Sequence, residues 1–262
     1  MNSNKTPNRS EVLEREKAFH NRIFEKDYDE NERSVVIKYY ASTKSSEEFL
    51  RNTVRRYGSH KKVLEYGCVP GDWTLKTLAD GAAFVTGIDL SDTAIAKARQ
   101  KALEQGVGNA TEYFVMDAEN LTFEPQSFDV CYGNGIIHHL DTAQAYRQIA
   151  KILRSDGVAV FREPLGMNPL INLYRSMTPR LRTPDEHPFV MRDIELARES
   201  FQEVHVEFFT FLALATTPFR NLAVFPKILA LAEKIDAWLF THIKWTRRFA
   251  WMAVLTLKQP KQ

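Results

Sequence analysis

The sequence predicts an α/β fold, a parallel sheet wound on both faces by helices. Three observations carry that expectation. Short apolar runs alternate with amphipathic segments between residues 63 and 163. All 11 glycines fall between Gly58 and Gly166, and tight strand-to-helix turns are where glycine concentrates. The run EYGCVPGD at 65–72 follows an apolar strand and precedes a helical pattern, as a ligand-approaching turn does.

Element by element, VLEY (63–66) is a short apolar run and predicts a buried strand, followed by a helix over WTLKTLAD (73–80). AFVTGIDL (83–90) predicts the second strand, TAIAKARQKALEQ (93–105) a helix and EYFVMD (112–117) the third strand. FDVCYGN (128–134), the helix TAQAYRQIAKILR (142–154) and the strand GVAVFRE (157–163) complete the alternation. In such sheets ligands bind at the carboxyl ends of the strands, near the point where strand order reverses. Residues 164–188 hold five of the 11 prolines and predict a long ordered loop. A helix (192–200), a strand (203–211), a helical stretch (216–245) and the strand AWMAVLTL (250–257) follow. Upstream, 10–57 predicts charged helices whose apolar positions are Phe19, Ile23, Phe24, Val35, Val36, Tyr39 and Tyr40. The chain therefore divides into a helical cap (1–57), an α/β core (58–163), a proline-rich loop facing the substrate (164–190) and the end of the core (191–262), which carries a helical lid at about 212–248.

Composition narrows the function. The 262 residues are 44% apolar with a formal charge of +2, and Lys and Arg are not clustered as a nucleic-acid partner requires. Cys68 and Cys131 have no paired spacing, so neither a disulfide framework nor a thiolate metal site is expected. The polar N-terminus has no apolar core of a signal peptide. The longest uncharged apolar stretch near the C-terminus, FFTFLALATTPF, is 12 residues, short of the 18 to 20 or so that span a bilayer. A cytoplasmic location is the expectation.

A dinucleotide-binding turn wants G-x-G-x-x-G, so that the backbone can approach a pyrophosphate at a helix N-terminus. After Gly67 this sequence has Val69 and Asp72, a β-branched side chain and a carboxylate where the phosphate would lie. A ligand without phosphate, carrying a cationic amino group near Glu65, fits better. The run VLEYGCVPGDWTLKTLA resembles motif I of the class I S-adenosylmethionine-dependent methyltransferases, an acidic residue followed by G-x-G-x-G; Glu65, Gly67 and Gly71 match and Val69 departs from the middle glycine. The resemblance extends over roughly 60–163, with a weaker match of the last two strands. It implies a Rossmann-like, doubly wound seven-stranded sheet with an antiparallel edge pair and helical caps, and S-adenosylmethionine as cofactor. It further implies that Asp89, followed by Leu90, accepts the ribose hydroxyls, that Asp117 and Ala118 contact the adenine, and that the backbone and Asn134 of FDVCYGNGIIHHLD border the methionine portion.

The acceptor is less defined. His20, His138, His139, Glu163 and His187 are candidate bases for a phenol, alcohol or carbon acid, whereas an amine needs only to arrive unprotonated. His138 and His139 either act on the acceptor or only shape the pocket. No spaced ligand motif supports a metal site. Phe19 and Tyr39 on the cap, and Tyr174, Arg175 and Arg182 on the proline-rich stretch, are candidate substrate contacts; the two arginines alternatively pair with Asp185 and Glu186 to hold the loop. In PKILALAEKIDAWLFTHIKW, Ile228, Leu231, Ala232, Ile235, Trp238, Leu239 and Ile243 form one stripe, which predicts a lid packed over the pocket. The alternative is a peripheral membrane contact through 226–248, with Trp238, Trp245, Lys244, Arg247 and Arg248 at the interface of the inner membrane face.

The expected function is methyl transfer to a small, partly apolar molecule at oxygen, nitrogen or carbon. Two rivals are a non-catalytic methyltransferase-fold partner subunit, opposed by the intact Glu65, Gly67, Asp89 and Asp117, and a nicotinamide-dependent oxidoreductase, opposed by Val69 and Asp72.

Overall fold

The computed structural model describes residues 9–25, 40–177 and 187–261. In chain order the elements are α1 (Arg9–Glu25), α2 (Lys44–Gly58), β1 (Lys62–Tyr66), α3 (Asp72–Ala79), β2 (Phe84–Asp89), α4 (Asp92–Glu104), β3 (Thr111–Val115) and β4 (Phe128–Asn134). They continue with α5 (Thr142–Ile152), β5 (Leu153–Pro164), α6 (Pro169–Met177), α7 (Met191–Ser200), β6 (Phe201–Phe209), α8 (Phe225–His242) and β7 (Met252–Pro260). The strands form one sheet in the order β3-β2-β1-β4-β5-β7-β6. β1 to β5 run parallel, and β7 is inserted antiparallel between β5 and the edge strand β6.

Successive strand residues point to opposite faces. Val63, Val85, Val130 and Val160 pack under Leu50 and Val54 of α2, while Leu64, Ile88, Cys131 and Phe161 pack under Ala145 and Ile149 of α5 and Ile194 and Ala197 of α7. Both faces are thus covered, which is what runs such as VLEY and GVAVF require. Strand order reverses between β1 and β4, the point at whose carboxyl end such sheets bind ligands.

Three elements differ from the sequence-based expectation. The proline-rich stretch contains a helix, α6, rather than only loop. Asn168 receives the N–H of Ile171 at 3.4 Å, and its amide donates to the carbonyl of Phe249 at 2.6 Å; Pro169 then opens the helix, where its missing N–H costs nothing. The fifth helix stops at Ile152 and β5 begins at Leu153, so the strand is 12 residues long.

The third difference is the face α8 turns inward. Leu229, Ala232, Asp236 and Phe240 are buried, whereas Leu231, Ile235 and Trp238 of the predicted stripe are exposed. Asp236 decides this: its carboxylate accepts the N–H groups of Phe211 (2.9 Å), Leu212 (2.8 Å) and Ala213 (3.1 Å), capping the 3₁₀ segment Leu212–Phe219. Satisfying three backbone donors outweighs burying one more apolar side chain. No helix of the described residues is long and apolar enough to cross a membrane.

Candidate cofactor and acceptor site

A cavity of about 360 Å³ lies at the carboxyl ends of β1, β2, β3 and β4, within the range of small-molecule sites. Its floor begins at the turn after β1. Gly67 (φ 75°) and Val69 (φ 50°) both take the left-handed conformation. Glycine does so freely, whereas a β-branched residue is strained there. Val69 is held by its N–H, which donates to Asp89 Oδ2 at 3.0 Å, and its side chain lines the cavity. The missing glycine is therefore replaced by a valine forced into the glycine conformation. Gly71 (φ 82°) precedes α3 and packs on Ala98 of α4, where a Cβ would come within 3.0 Å of the alanine methyl; it seats the helix and does not line the cavity.

Asp89 ends β2. Its other oxygen accepts the N–H of Ser91 at 2.9 Å, and Ser91 in turn caps α4 through Ala94 N–H. Burial pushes the Asp89 carboxyl above its ordinary range, against the pull of those two N–H groups. Asp117 follows β3. Burial raises its carboxyl too, but the Arg9 guanidinium, the Glu119 N–H and the Asn120 amide outweigh that and hold it below the usual carboxylate range. The Tyr66 hydroxyl donates to the Ala118 carbonyl, which fixes this loop to β1.

The roof is α1. Arg9 forms ion pairs with Asp117 and Glu119, Lys17 pairs with Asp92 at 2.8 Å, and the Asn21 amide donates to Asp92 at 2.8 Å. The helix thereby turns Val12, Leu13, Glu16 and His20 toward the cavity. Opposite them, His139 follows β4. Burial drives its imidazole down to about 2, with His138, His20, His187 and Arg175 adding to the effect, so it is neutral. Glu16 Oε2 lies 3.5 Å from His20 Nε2 and 3.8 Å from His139 Nδ1. Glu16 Oε1 and His139 Nδ1 are buried without a hydrogen-bond partner.

Of the residues named from sequence, Gly67, Asp89, Leu90, Asp117, Ala118, Asn134, His20 and His139 line this one cavity. Glu65 does not. Its carboxyl sits beneath the turn, 4% exposed and bonded by Thr74 of α3, outside the residues that line the cavity, and burial lifts its pKa to about 8. His138 and Glu163 are also corrected. Glu163 is fully buried, accepts the N–H groups of Ile136 (3.0 Å) and Ile137 (2.9 Å) and meets His138 Nδ1 at 2.7 Å, so the pair braces the loop after β4 instead of facing an acceptor.

His187 borders a neighbouring cavity of about 490 Å³, 3.5 Å from the Thr142 hydroxyl. Phe19 packs edge-on against His20, outside the cavity lining, and Arg175 acts on His139 through its charge. Tyr39 and Arg182 lie outside the described residues, with Val35, Val36, Asp185 and Glu186, as do the side chains of Tyr174, Ile23 and Phe24. Among the described residues, none from 212–248 lines the cavity, so the roof expected from α8 is supplied by α1.

Sequence reasoning missed Arg9, Glu16 and Arg162. Arg162 is buried in β5, and its guanidinium donates to Ser46 Oγ (2.8 Å), Thr43 Oγ1 (2.9 Å) and Asn134 Oδ1 (2.9 Å), which fixes the cavity-lining asparagine to α2. The signal for it was a lone charge inside an otherwise apolar strand, GVAVFRE.

Known proteins resemble this chain in its α/β core. Residues 63–157 match the family model of a methyltransferase domain. That stretch, which runs from β1 into β5, is similar to a methyltransferase domain. A ubiquinone biosynthesis O-methyltransferase of Neisseria meningitidis is 36% identical over 111 residues, 42% of this chain and 46% of that protein. A 27-O-demethylrifamycin SV methyltransferase of Amycolatopsis mediterranei is 29% identical over 97 residues, 37% of this chain and 36% of that one. The chain thus spans about half the length, or less, of the curated relatives it matches. Among solved structures, the geranyl diphosphate C-methyltransferase of Streptomyces coelicolor, in complex with Mg²⁺, geranyl diphosphate and S-adenosyl-L-homocysteine, superposes with a TM-score of 0.61 over 89% of this chain and 86% of that one, at 11% identity. The [4+2]-cyclase SpnF superposes with a TM-score of 0.55 over 81% of each chain at 19% identity. At these identities the chain shares its fold with both, and the fold alone does not name a reaction.

Proposed function

We propose that this protein binds S-adenosylmethionine in the cavity above β1 to β4 and transfers its methyl group to a small, partly apolar molecule. The observation that carries the reading is the convergence of Gly67, Asp89, Asp117 and Asn134 on one cavity at the point where strand order reverses. Each Asp89 oxygen already accepts one backbone N–H and keeps acceptor capacity for a ribose hydroxyl. Asp117 and Ala118 border the adenine, and the backbone at Gly67 and Asn134 borders the methionine portion.

The acceptor enters on the α1 side, beside His20 and His139. Its nucleophilic atom attacks the methyl carbon in line, the carbon–sulfur bond breaks, and the electron pair stays on sulfur as S-adenosylhomocysteine leaves. Val12, Leu13, Met116, Ile136 and Leu140 line the same space, which suits a lipophilic acceptor. The relatives named for ubiquinone biosynthesis and for a rifamycin support a small-molecule acceptor.

A lipophilic acceptor also gives a role to α8. Leu222, Leu231, Ile235, Trp238 and Trp245 are exposed beside Lys244 and Arg248, a composition suited to an anionic membrane surface, and we include peripheral contact there in the proposal.

The test is calorimetric binding of S-adenosylhomocysteine, followed by incubation with methyl-labelled S-adenosylmethionine and host extract. Binding with label in the organic phase supports the full reading; label in small polar products removes the lipophilic acceptor. Binding without label favours a non-catalytic partner subunit, and absence of binding refutes the cofactor site. Sedimentation with phosphatidylglycerol vesicles, lost in Trp238→Ser, tests the membrane contact separately.

A further inference from the structure

Two helical residues of α1 and one residue after β4 bring a carboxylate and two imidazoles to the wall where the acceptor enters. Each of Glu16, His20 and His139 offers one ligand atom, and these atoms lie within 4.8 Å of one another. The Glu16–His20 separation is 3.5 Å and the Glu16–His139 separation 3.8 Å. A divalent cation with bonds of about 2.0 to 2.1 Å in tetrahedral geometry sets its ligands about 3.3 to 3.4 Å apart, so two of these separations need to contract by only a few tenths of an ångström.

A second, independent observation is the state of the ligand atoms. Glu16 is 7% exposed, and while its Oε2 is the oxygen that approaches both imidazoles, Oε1 of the same carboxylate has no hydrogen-bond partner, and neither has His139 Nδ1. A buried polar atom left unpaired costs about 1–3 kcal/mol, and here two such atoms border one cavity. The i, i+4 spacing of Glu16 and His20 keeps both on one face of α1. Arg175 and His187 oppose a cation here, while Asp89, Glu119 and Asp141 in the same cavity favour it.

We propose that Glu16, His20 and His139 bind one divalent transition-metal cation, Zn²⁺ or Fe²⁺, at the α1 wall of the cavity. Two imidazoles and one carboxylate form a donor set for such ions rather than for Mg²⁺ or Ca²⁺, which favour oxygen ligands. Three protein ligands leave coordination positions open toward the cavity. The second half of the proposal rests on the methyl-transfer reading: the open position takes the oxygen of a hydroxyl-bearing acceptor, a phenol, enol or alcohol. Coordination lowers the hydroxyl pKa, as zinc lowers that of water from 15.7 to about 7. The proton leaves to solvent, the oxygen forms its bond to the methyl carbon as the carbon–sulfur bond breaks, and the methylated oxygen has little affinity left for the cation.

The experiment strips the full-length protein with a chelator and titrates Zn²⁺ by calorimetry into wild type, Glu16→Gln and His139→Gln, with S-adenosylhomocysteine affinity measured on the same metal-free samples. The expected result is one ion per chain, weakened at least 100-fold in both variants, while S-adenosylhomocysteine affinity changes less than threefold. Retained S-adenosylhomocysteine binding also certifies that the variants are folded. Zinc binding absent from wild type, or equal in all three proteins, overturns the site.

Co²⁺ supplies a second readout: visible absorption that appears with wild type and fails to appear with Glu16→Gln supports the site, and identical spectra refute it. Zinc bound as expected in a protein that ignores S-adenosylhomocysteine upholds the metal site and sinks the methyl-transfer reading. The two failures are therefore distinct.

Discussion

Replacing Glu65 by glutamine tests whether the acidic residue beneath the cofactor turn is a carboxylate at all. The side chain is buried at the end of β1, bonded by the Thr74 hydroxyl, with Asp89 and Asp72 adding negative potential. Burial dominates and raises its pKa from the ordinary 4.5 to about 8. Between those values the folded protein keeps a proton that the unfolded chain has released. Stability contributed by this group is therefore fully present below pH 4.5 and is lost as pH rises through 8. Each pH unit corresponds to about 1.4 kcal/mol, so wild type loses on the order of 5 kcal/mol relative to Glu65→Gln across the interval.

At pH 4.5 the two proteins should differ little, because glutamine nearly matches a protonated glutamate in shape. By pH 8 the variant should be clearly the more stable. Urea unfolding of both ligand-free proteins at half-unit steps from pH 5 to 8 measures this, since titrations of groups that do not interact with residue 65 cancel in the difference. Parallel stability curves, or a wild type that gains on the variant as pH rises, would refute the assignment of a neutral Glu65.

Asp89→Ala should weaken S-adenosylhomocysteine binding about 100-fold or more, because two hydrogen bonds to a charged acceptor are lost at about 1.5–3 kcal/mol each; unchanged calorimetric affinity would remove the ribose from Asp89. Val69→Gly should stabilise the protein by a few tenths to about 1 kcal/mol. Relief of left-handed strain, about 1–2 kcal/mol, exceeds the entropic penalty of glycine, about 0.5–1 kcal/mol. A variant that unfolds more easily in denaturant would show that the valine side chain contributes more than its backbone costs. Asp236→Ala should destabilise by about 3 kcal/mol or more, since three N–H groups lose their acceptor, with Asp236→Asn intermediate; a loss below 1 kcal/mol in the alanine variant would argue that water replaces the carboxylate.

The core was legible because its signals are local. Apolar strands such as VLEY and FDVCY declare themselves by length, and the glycine turn by its position between strand and helix. What stayed hidden depends on partners distant in sequence. Asn168–Pro169 is a helix start that five prolines in one stretch disguised as loop. In α8 the apolar stripe pointed to the wrong inner face, because the packing is set by Asp236 and the three N–H groups that it accepts 23 to 25 residues upstream. Glu16 has the sequence context of a solvated charge, EREKAFH, and only the approach of His139, 123 residues later, makes it a cavity residue. Glu65 lies beneath the turn against Thr74 and not in the cavity, since periodicity shows that a residue is inside but not which side of the turn its carboxyl faces.

The placement of α1 ties these observations together. Arg9 pairs with Asp117 and Glu119 on the adenine side of the proposed cofactor site, Lys17 and Asn21 hold Asp92 just beyond Asp89, and Glu16 and His20 face His139 on the acceptor side. The Lys17–Asp92 pair is largely exposed, at 39% and 54%, so it contributes at most about 1 kcal/mol. Val12 and Leu13 look into the cavity and not into a packed core, so they gain full burial only when a ligand fills the space beneath them. Closure of α1 over an unfilled cavity therefore rests on a few polar contacts, and closure over a filled one adds the apolar burial that those contacts lack. Saturating S-adenosylhomocysteine is therefore expected to raise the hydrogen-exchange protection of α1 more than that of β1 or β4, and protection of α1 unchanged by the ligand would refute this coupling.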